Sequence, residues 1–232
     1  MSLPKQNHAV FNLVIPSTGK TLKFRAFTVR EEKILSLAQE SKDELVIANA
    51  IMEIISNCFD SKLDVSKLTI FDIEYIITNI RAKSVGELVT LNMKCDGDPT
   101  HDRTPVKIDI TKGKIVTPEG HETKIHCFDD VGVVMKYPTF SDMTEFNKLP
   151  KLDSMAFCID YIYTGTEIFK SEEQSKGELK DFIENLTPAQ RQKIEDTFFN
   201  KFPIFQLEFD YECMVCKHKH KRKVTGLTNF FI

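Results

Sequence analysis

The apolar residues of this chain change their period more than once, and that switching limits the folds open to it. Phe11, Leu13 and Ile15, then Leu22, Phe24 and Ala26, recur at every second position on either side of PSTG. The pattern predicts a β-hairpin with one buried face. From Thr28 to about residue 82 the spacing becomes three and four. Thr28 and Glu31 have the spacing of a capping box that opens a helix. Ala48, Ile51, Met52 and Ile55 share a helical face over 43–58, and Ile70, Ile73, Ile77 and Ile80 share one over 70–82.

Period two then returns. Val89, Leu91, Met93 and Cys95 alternate in ELVTLNMKC, and Val106, Ile108 and Ile110 alternate after a polar loop. Another hairpin is predicted around TPEGHETKIHCF, turning near Pro118–Gly120. Residues 141–202 read as helical, with a stripe of Leu152, Met155, Ala156 and Ile159 and a helix start at Thr187, Pro188 and Gln190. Phe205, Leu207, Phe209 and Tyr211 alternate into Cys213, and KRKVTGL forms the return strand. The expectation is an α+β fold in which helical segments flank β-hairpins, as one domain over 1–232. Its sub-regions are a hairpin plus helices (1–82), β-hairpins (83–140), a helical stretch (141–202) and a C-terminal knuckle hairpin (203–232).

Two of these hairpins end in cysteine. In CMVC, a C-x-x-C turn at a strand end lets Cys213 and Cys216 aim both thiolates at one tetrahedral zinc. Two ligands make half a site. The other tip, CDGDPTHD, offers Cys95 and His101, so Cys95, His101, Cys213 and Cys216 form the candidate Cys3His site. Structural zinc there would join two hairpins distant in sequence into a zinc-ribbon-like unit. His218 and His220 are alternatives to His101, and an empty polar knuckle or a redox dithiol are the competing readings. A thioredoxin-like dithiol needs its C-x-x-C between a strand and a helix N-terminus, whereas a basic strand follows here. Cys58 and Cys158 fall on apolar helix faces and read as core residues.

Charge bears on the rival functions. The chain carries 31 basic and 34 acidic side chains, for a net charge of −3. Lys217, Lys219, Lys221, Arg222 and Lys223 form its one dense basic run, a candidate for partner or phosphate contacts. A zinc-ribbon nucleic-acid binder is therefore the alternative function. Nucleic acid is disfavoured, because the rest of the surface is acidic and no aromatics interleave with the cations.

Catalysis finds no support. STGKT at 17–21 lacks the P-loop glycine, position 14 being Val14, and strand alternation follows it rather than a helix. Paired carboxylates such as Glu31/Glu32 and Asp129/Asp130 are adjacent in sequence and diverge on a regular element. No apolar run is long enough to span a membrane. The N-terminus lacks a secretory h-region, and six cysteines in 232 residues are too few for a disulfide scaffold, so a reducing compartment is expected.

Longer stretches carry a family resemblance. FRAFTVREEKILSLAQES at 24–41, FDIEYIITNIRAKSVGE at 71–87, VGVVMKYPT at 131–139, and CMVCKHK before a terminal GLTNFF resemble, in that order, the baseplate hub assembly proteins of T4-like contractile-tailed bacteriophages. The hub subunit branch is favoured. The resemblance implies a non-enzymatic role in building the baseplate hub with other hub or tail proteins. It implies the host cytoplasm during infection, with the virion tail baseplate as a second location. The family's C-x-x-C is matched by Cys213 and Cys216, and the Cys/His set of its middle hairpin by Cys95 and, less closely, His101.

Overall fold

The computed structural model describes residues 7–60 and 63–226. The terminal GLTNFF stretch therefore lies, after Gly226, outside the described residues. The chain is α+β and divides into two compact units, one of residues 1–115 with 204–232 and one of residues 116–203.

The first unit opens with the expected hairpin, β1 (Val10–Val14) against β2 (Thr21–Arg25), in a register that places Phe11 opposite Phe24 and Leu13 opposite Leu22. STGKT is its turn: Gly19 sits at φ +66° and its N–H reaches Ile15 O at 2.8 Å. Three helices follow, α1 (Val29–Ser41), α2 (Glu44–Cys58) and α3 (Ile70–Ser84). Thr28 and Glu31 form the capping box of α1, and Thr69 and Asp72 form that of α3. In α3, Ile73, Ile76, Ile77 and Ile80 are fully buried, which makes this helix the centre of the unit.

Next come β3 (Leu88–Met93), β4 (Thr104–Asp109), β5 (Lys114–Val116) and, after the second unit, β10 (Ile204–Glu212) and β11 (Lys219–Thr225). β3 pairs with β4, and β11, β10 and β5 form a three-stranded sheet in that order. Val89, Ile108, Ile110, Phe205 and Leu207 are buried together between them.

The second unit is a four-stranded antiparallel sheet in the order β6 (Lys124–Phe128), β7 (Val131–Met135), β8 (Ile159–Thr164), β9 (Glu167–Lys170). Its helices are α4 (Met143–Phe146), α5 (Lys151–Phe157), α6 (Lys176–Glu184) and α7 (Pro188–Thr197). Ile125, Val133, Met155, Cys158, Ile159, Ile183, Ile194 and Phe198 fill its core. Among the described residues no helix is long and apolar enough to cross a membrane.

Two local expectations are corrected. The strands flanking Pro118–Gly120 do not pair with each other: β5 joins β10, and β6 joins β7. Burial decides this, since Ile115 packs against the cluster of Phe205 and Leu207. The stretch 141–202 is not wholly helical. Helix α5 ends at Phe157, and Ile159–Lys170 forms the β8–β9 hairpin. Tyr161, Ile162, Tyr163 and Thr164 are aromatic or β-branched and lead into a turn at Gly165 and Thr166, a composition that favours strand.

Candidate metal centre

The tips of the β3–β4 and β10–β11 hairpins meet. Between β10 and β11 the chain makes a tight knuckle: Cys213 N–H donates to His218 O at 2.9 Å, and Lys217 N–H donates to Cys213 O at 3.0 Å. Lys217 takes a left-handed φ of +60° to close the turn. The backbone N–H groups of Cys216 and Val215 point at the Cys213 sulfur. Those of Asp98 and Gly97 point in the same way at the Cys95 sulfur in the other tip. Met214 N–H donates to the buried Thr104 hydroxyl at 3.1 Å, which moors the second knuckle to β4.

This arrangement brings four potential ligand atoms, from Cys95, His101, Cys213 and Cys216, within 4.8 Å of one another. Cys95 Sγ lies 3.7 Å from Cys216 Sγ, and His101 Nδ1 lies 3.7 Å from Cys213 Sγ. A disulfide would bring two sulfurs to about 2.05 Å, and all six cysteines are free. Around a tetrahedral zinc with Zn–S bonds of about 2.3 Å, two sulfurs stand about 3.8 Å apart. Two of the separations match that value, and the remaining ones stay within 4.8 Å. Cys95 and Cys213 are buried, His101 is half-buried and Cys216 is exposed.

The surroundings favour thiolate at Cys213 and Cys95 but not at Cys216, where the His218 N–H lowers the thiol but burial and the Cys213 and Cys95 sulfurs outweigh it. The Cys216 N–H is the main cause that lowers the Cys213 thiol to about 6, against the opposing effect of burial, with Val215 N–H and the Cys216 and His101 side chains adding to it. Burial alone would raise Cys95, but the His101 ring and the Asp98 and Gly97 N–H groups outweigh it and lower the thiol. His101 is raised in turn by Cys95 and Cys213, and its Nε2 faces the Asp98 carboxylate at 3.5 Å.

The alternative histidines have other places. His218 is exposed and stacks edge-on against His220 at 4.8 Å. His220 is buried on β11, its Nε2 3.4 Å from Cys95 Sγ and its Nδ1 3.6 Å from an Asp96 carboxylate oxygen. Tyr211 stacks on the His220 ring at 4.8 Å and donates its hydroxyl to Lys94 O. Asp96 also pairs with Arg222. Asp96 and Tyr211 around His220, and Asp98 beside His101, belong to no motif in the sequence; the visible signal is the alternation that puts Tyr211 and His220 on inward faces of paired strands.

The basic run is placed by register. Lys219, Lys221 and Lys223 stand opposite Glu212, Asp210 and Glu208 across the β10–β11 ladder. Glu208 forms ion pairs with Lys223 at 3.1 Å and Lys221 at 3.7 Å. Arg222 points to the other face, toward Asp96, and Lys217 is exposed in the turn. Three lysines of the run therefore face an acidic strand of their own chain.

Comparison of the sequence with known proteins adds one positive finding. The family model described as T4 bacteriophage base plate protein matches residues 8–232. Searches of curated proteins and of solved structures gave no match. With the match running nearly end to end, the chain belongs to the T4 bacteriophage base plate protein family.

Proposed function

We propose that this baseplate protein works without catalysis, assembling the baseplate hub by binding other hub proteins, with zinc held by Cys95, His101, Cys213 and Cys216 as a structural crosslink. The observation that carries the reading is the four-ligand cluster. Four protein ligands close a tetrahedral shell and leave no position for a substrate, as in structural zinc sites. Zinc bound there would convert binding free energy into folding free energy and lock the two hairpin tips together.

The remaining thiols support a non-enzymatic role. Burial pushes Cys58 up to about 11 and Cys158 up to about 12, and raises Cys127, so none is an activated nucleophile. The second unit's cleft of about 430 Å³ has Thr139 and Ser171 in its lining, but no histidine to activate them. We place the protein in the hub subunit branch, acting in the host cytoplasm during infection and in the tail baseplate.

The experiment joins elemental analysis of chelator-free protein with affinity capture from phage-infected cells. About one zinc per chain is the expected loading, together with recovery of tail proteins. Protein that folds without metal and is indifferent to chelation would remove the crosslink. The nucleic-acid alternative loses ground to the Glu208, Asp210 and Glu212 ladder, which already faces the lysines. A DNA affinity that falls steeply with salt would revive it.

A further inference from the structure

A groove of about 490 Å³ in the first unit is lined on one side by Thr90, Leu91, Asn92 and Met93 of β3 and on the other by residues 222–225 of β11, with Arg103 completing it. A strand that lines a cavity with its face contributes alternate residues, because successive side chains point to opposite sides. Here four consecutive residues come from each strand. Both therefore present an edge, where main-chain N–H and C=O groups lie. Among the described residues, β3 pairs only with β4, and β11 only with β10. Among the described residues, no backbone hydrogen bond reaches the outer edge of Thr90–Met93. An open edge is a template for another strand, and a two-stranded sheet gains stability from a third.

The lining also selects for charge. None of its nine residues is acidic, and Arg103, Arg222 and Lys223 are cationic. Arg222 and Lys223 have internal partners in Asp96 and Glu208. Arg103 is exposed and makes no ion pair among the described residues. The Arg222 Nε is buried and has no hydrogen-bond partner among the described residues. Leu91, Met93 and Val224 supply apolar contact between these cations.

We propose that this groove binds an extended acidic segment of another protein, which adds to the β3 edge as a third strand and sets its carboxylates against Arg103 and Arg222. The proposal rests on the reading of this chain as an assembly protein, and names the surface and the partner chemistry. Four residues of strand span about 13 Å, so the paired core of the segment is short. Main-chain pairing supplies affinity and alternate side chains supply specificity, as in other strand-addition complexes.

The test titrates the full-length protein with a capped hexapeptide alternating glutamate and valine, and separately with its lysine–valine counterpart. Amide hydrogen exchange reads the outcome. The acidic peptide should slow exchange across 90–93, and raised salt should weaken it. Arg103→Glu, an exposed change that leaves the fold intact, should cut the affinity roughly tenfold, the scale of one charged hydrogen bond. No protection at 90–93, protection confined to 222–225, or an equal response to the lysine peptide overturns the proposal. Capture from infected cells with wild type and Arg103→Glu separates it from the broader reading. Tail proteins recovered equally by both, with no peptide protection, leave assembly standing and remove the groove. Peptide protection without any tail protein recovered does the reverse.

Discussion

Asp98 holds in the first hairpin tip the position that Cys216 holds in the second. The N–H groups of Gly97 and Asp98 reach the Cys95 sulfur from two and three residues on, as those of Val215 and Cys216 reach Cys213. The first tip is thus a knuckle without its second cysteine, and His101, three residues beyond Asp98, brings the fourth ligand atom. Asp98 instead faces the His101 ring at 3.5 Å.

That relationship predicts a rescue. His101→Ala should lose most of the zinc, since three ligands remain. Asp98→Cys in the same chain should restore it, because a C-x-x-C turn would then replace the histidine. Zinc content of the single and double variants, measured by elemental analysis, checks this; a double variant as empty as His101→Ala would refute the knuckle correspondence.

Removing a shared thiolate should cost both metal and stability. Cys213→Ser is expected to lose the zinc and lower the melting temperature by roughly 5–10 °C, the shift that a loss of about 2–3 kcal/mol produces in a chain of this length. Cys58→Ser, at a buried helical position away from the cluster, should keep its full zinc content. Thermal melts run alongside metal analysis separate the two.

His220 should tune the site without belonging to it. Its ring sits 3.4 Å from Cys95 Sγ and is held by Tyr211 and Asp96. Groups that orient metal ligands in this way are worth about 10–100-fold in metal affinity. His220→Phe should therefore weaken cobalt binding on that scale while the thiolate-to-cobalt absorption band survives. An unchanged affinity means the ring only packs, and shifted ligand-field bands with the thiolate band retained mean it is itself a ligand.

Acid should weaken the first unit through Glu31. Burial alone would raise this carboxyl, but hydrogen bonds from Arg25 and Thr28 outweigh it and hold it at about 2. Its ordinary value unfolded is about 4.3. The folded form is the depressed one, so the stabilisation is complete above about 4.3 and fades as pH falls through about 2. Glu31→Gln should lose about 2 kcal/mol at neutral pH and show a flatter decline in acid. Urea unfolding across pH 2–7 measures both.

Gly113 is fixed by contact rather than by turn geometry. A Cβ there would lie 2.2 Å from the Phe205 ring, and Phe205 is almost wholly buried in the cluster under β3 and β4. Gly113→Ala should cost about 1–3 kcal/mol through overpacking, seen as a lower denaturant midpoint. Gly97→Ala, whose Cβ would meet only Cys95 Sγ at 3.8 Å, should be tolerated far better.

Much of this was written locally in the chain. The Thr28–Glu31 and Thr187–Gln190 boxes and the isoleucine stripe of α3 rest on contacts between residues three to four apart, and the alternation of β1 to β4 follows from successive side chains pointing to opposite faces, so each leaves a period that a sequence displays. The four candidate ligands were legible for the same reason, since two tight turns carried them. Where local signals competed, reading failed: the stripe that ends in Ile159 could continue α5 or begin β8, and only packing in the second unit's core resolves it.

What no local pattern could decide is which distant elements meet. β5 chooses β10 over its sequence neighbour β6 because Ile115 finds its burial beside Phe205 and Leu207. The basic run becomes half of a ladder only because the β10–β11 register sets Lys219, Lys221 and Lys223 opposite Glu212, Asp210 and Glu208. His101 completes the cluster, and His220 stands behind it, because the hairpins dock with Cys213 close to a histidine 112 residues away. Sequence by itself determined most of the elements and the kinds of ligand. The tertiary structure chose among them, since ligand distances of a few ångströms depend on how two separate hairpins pack.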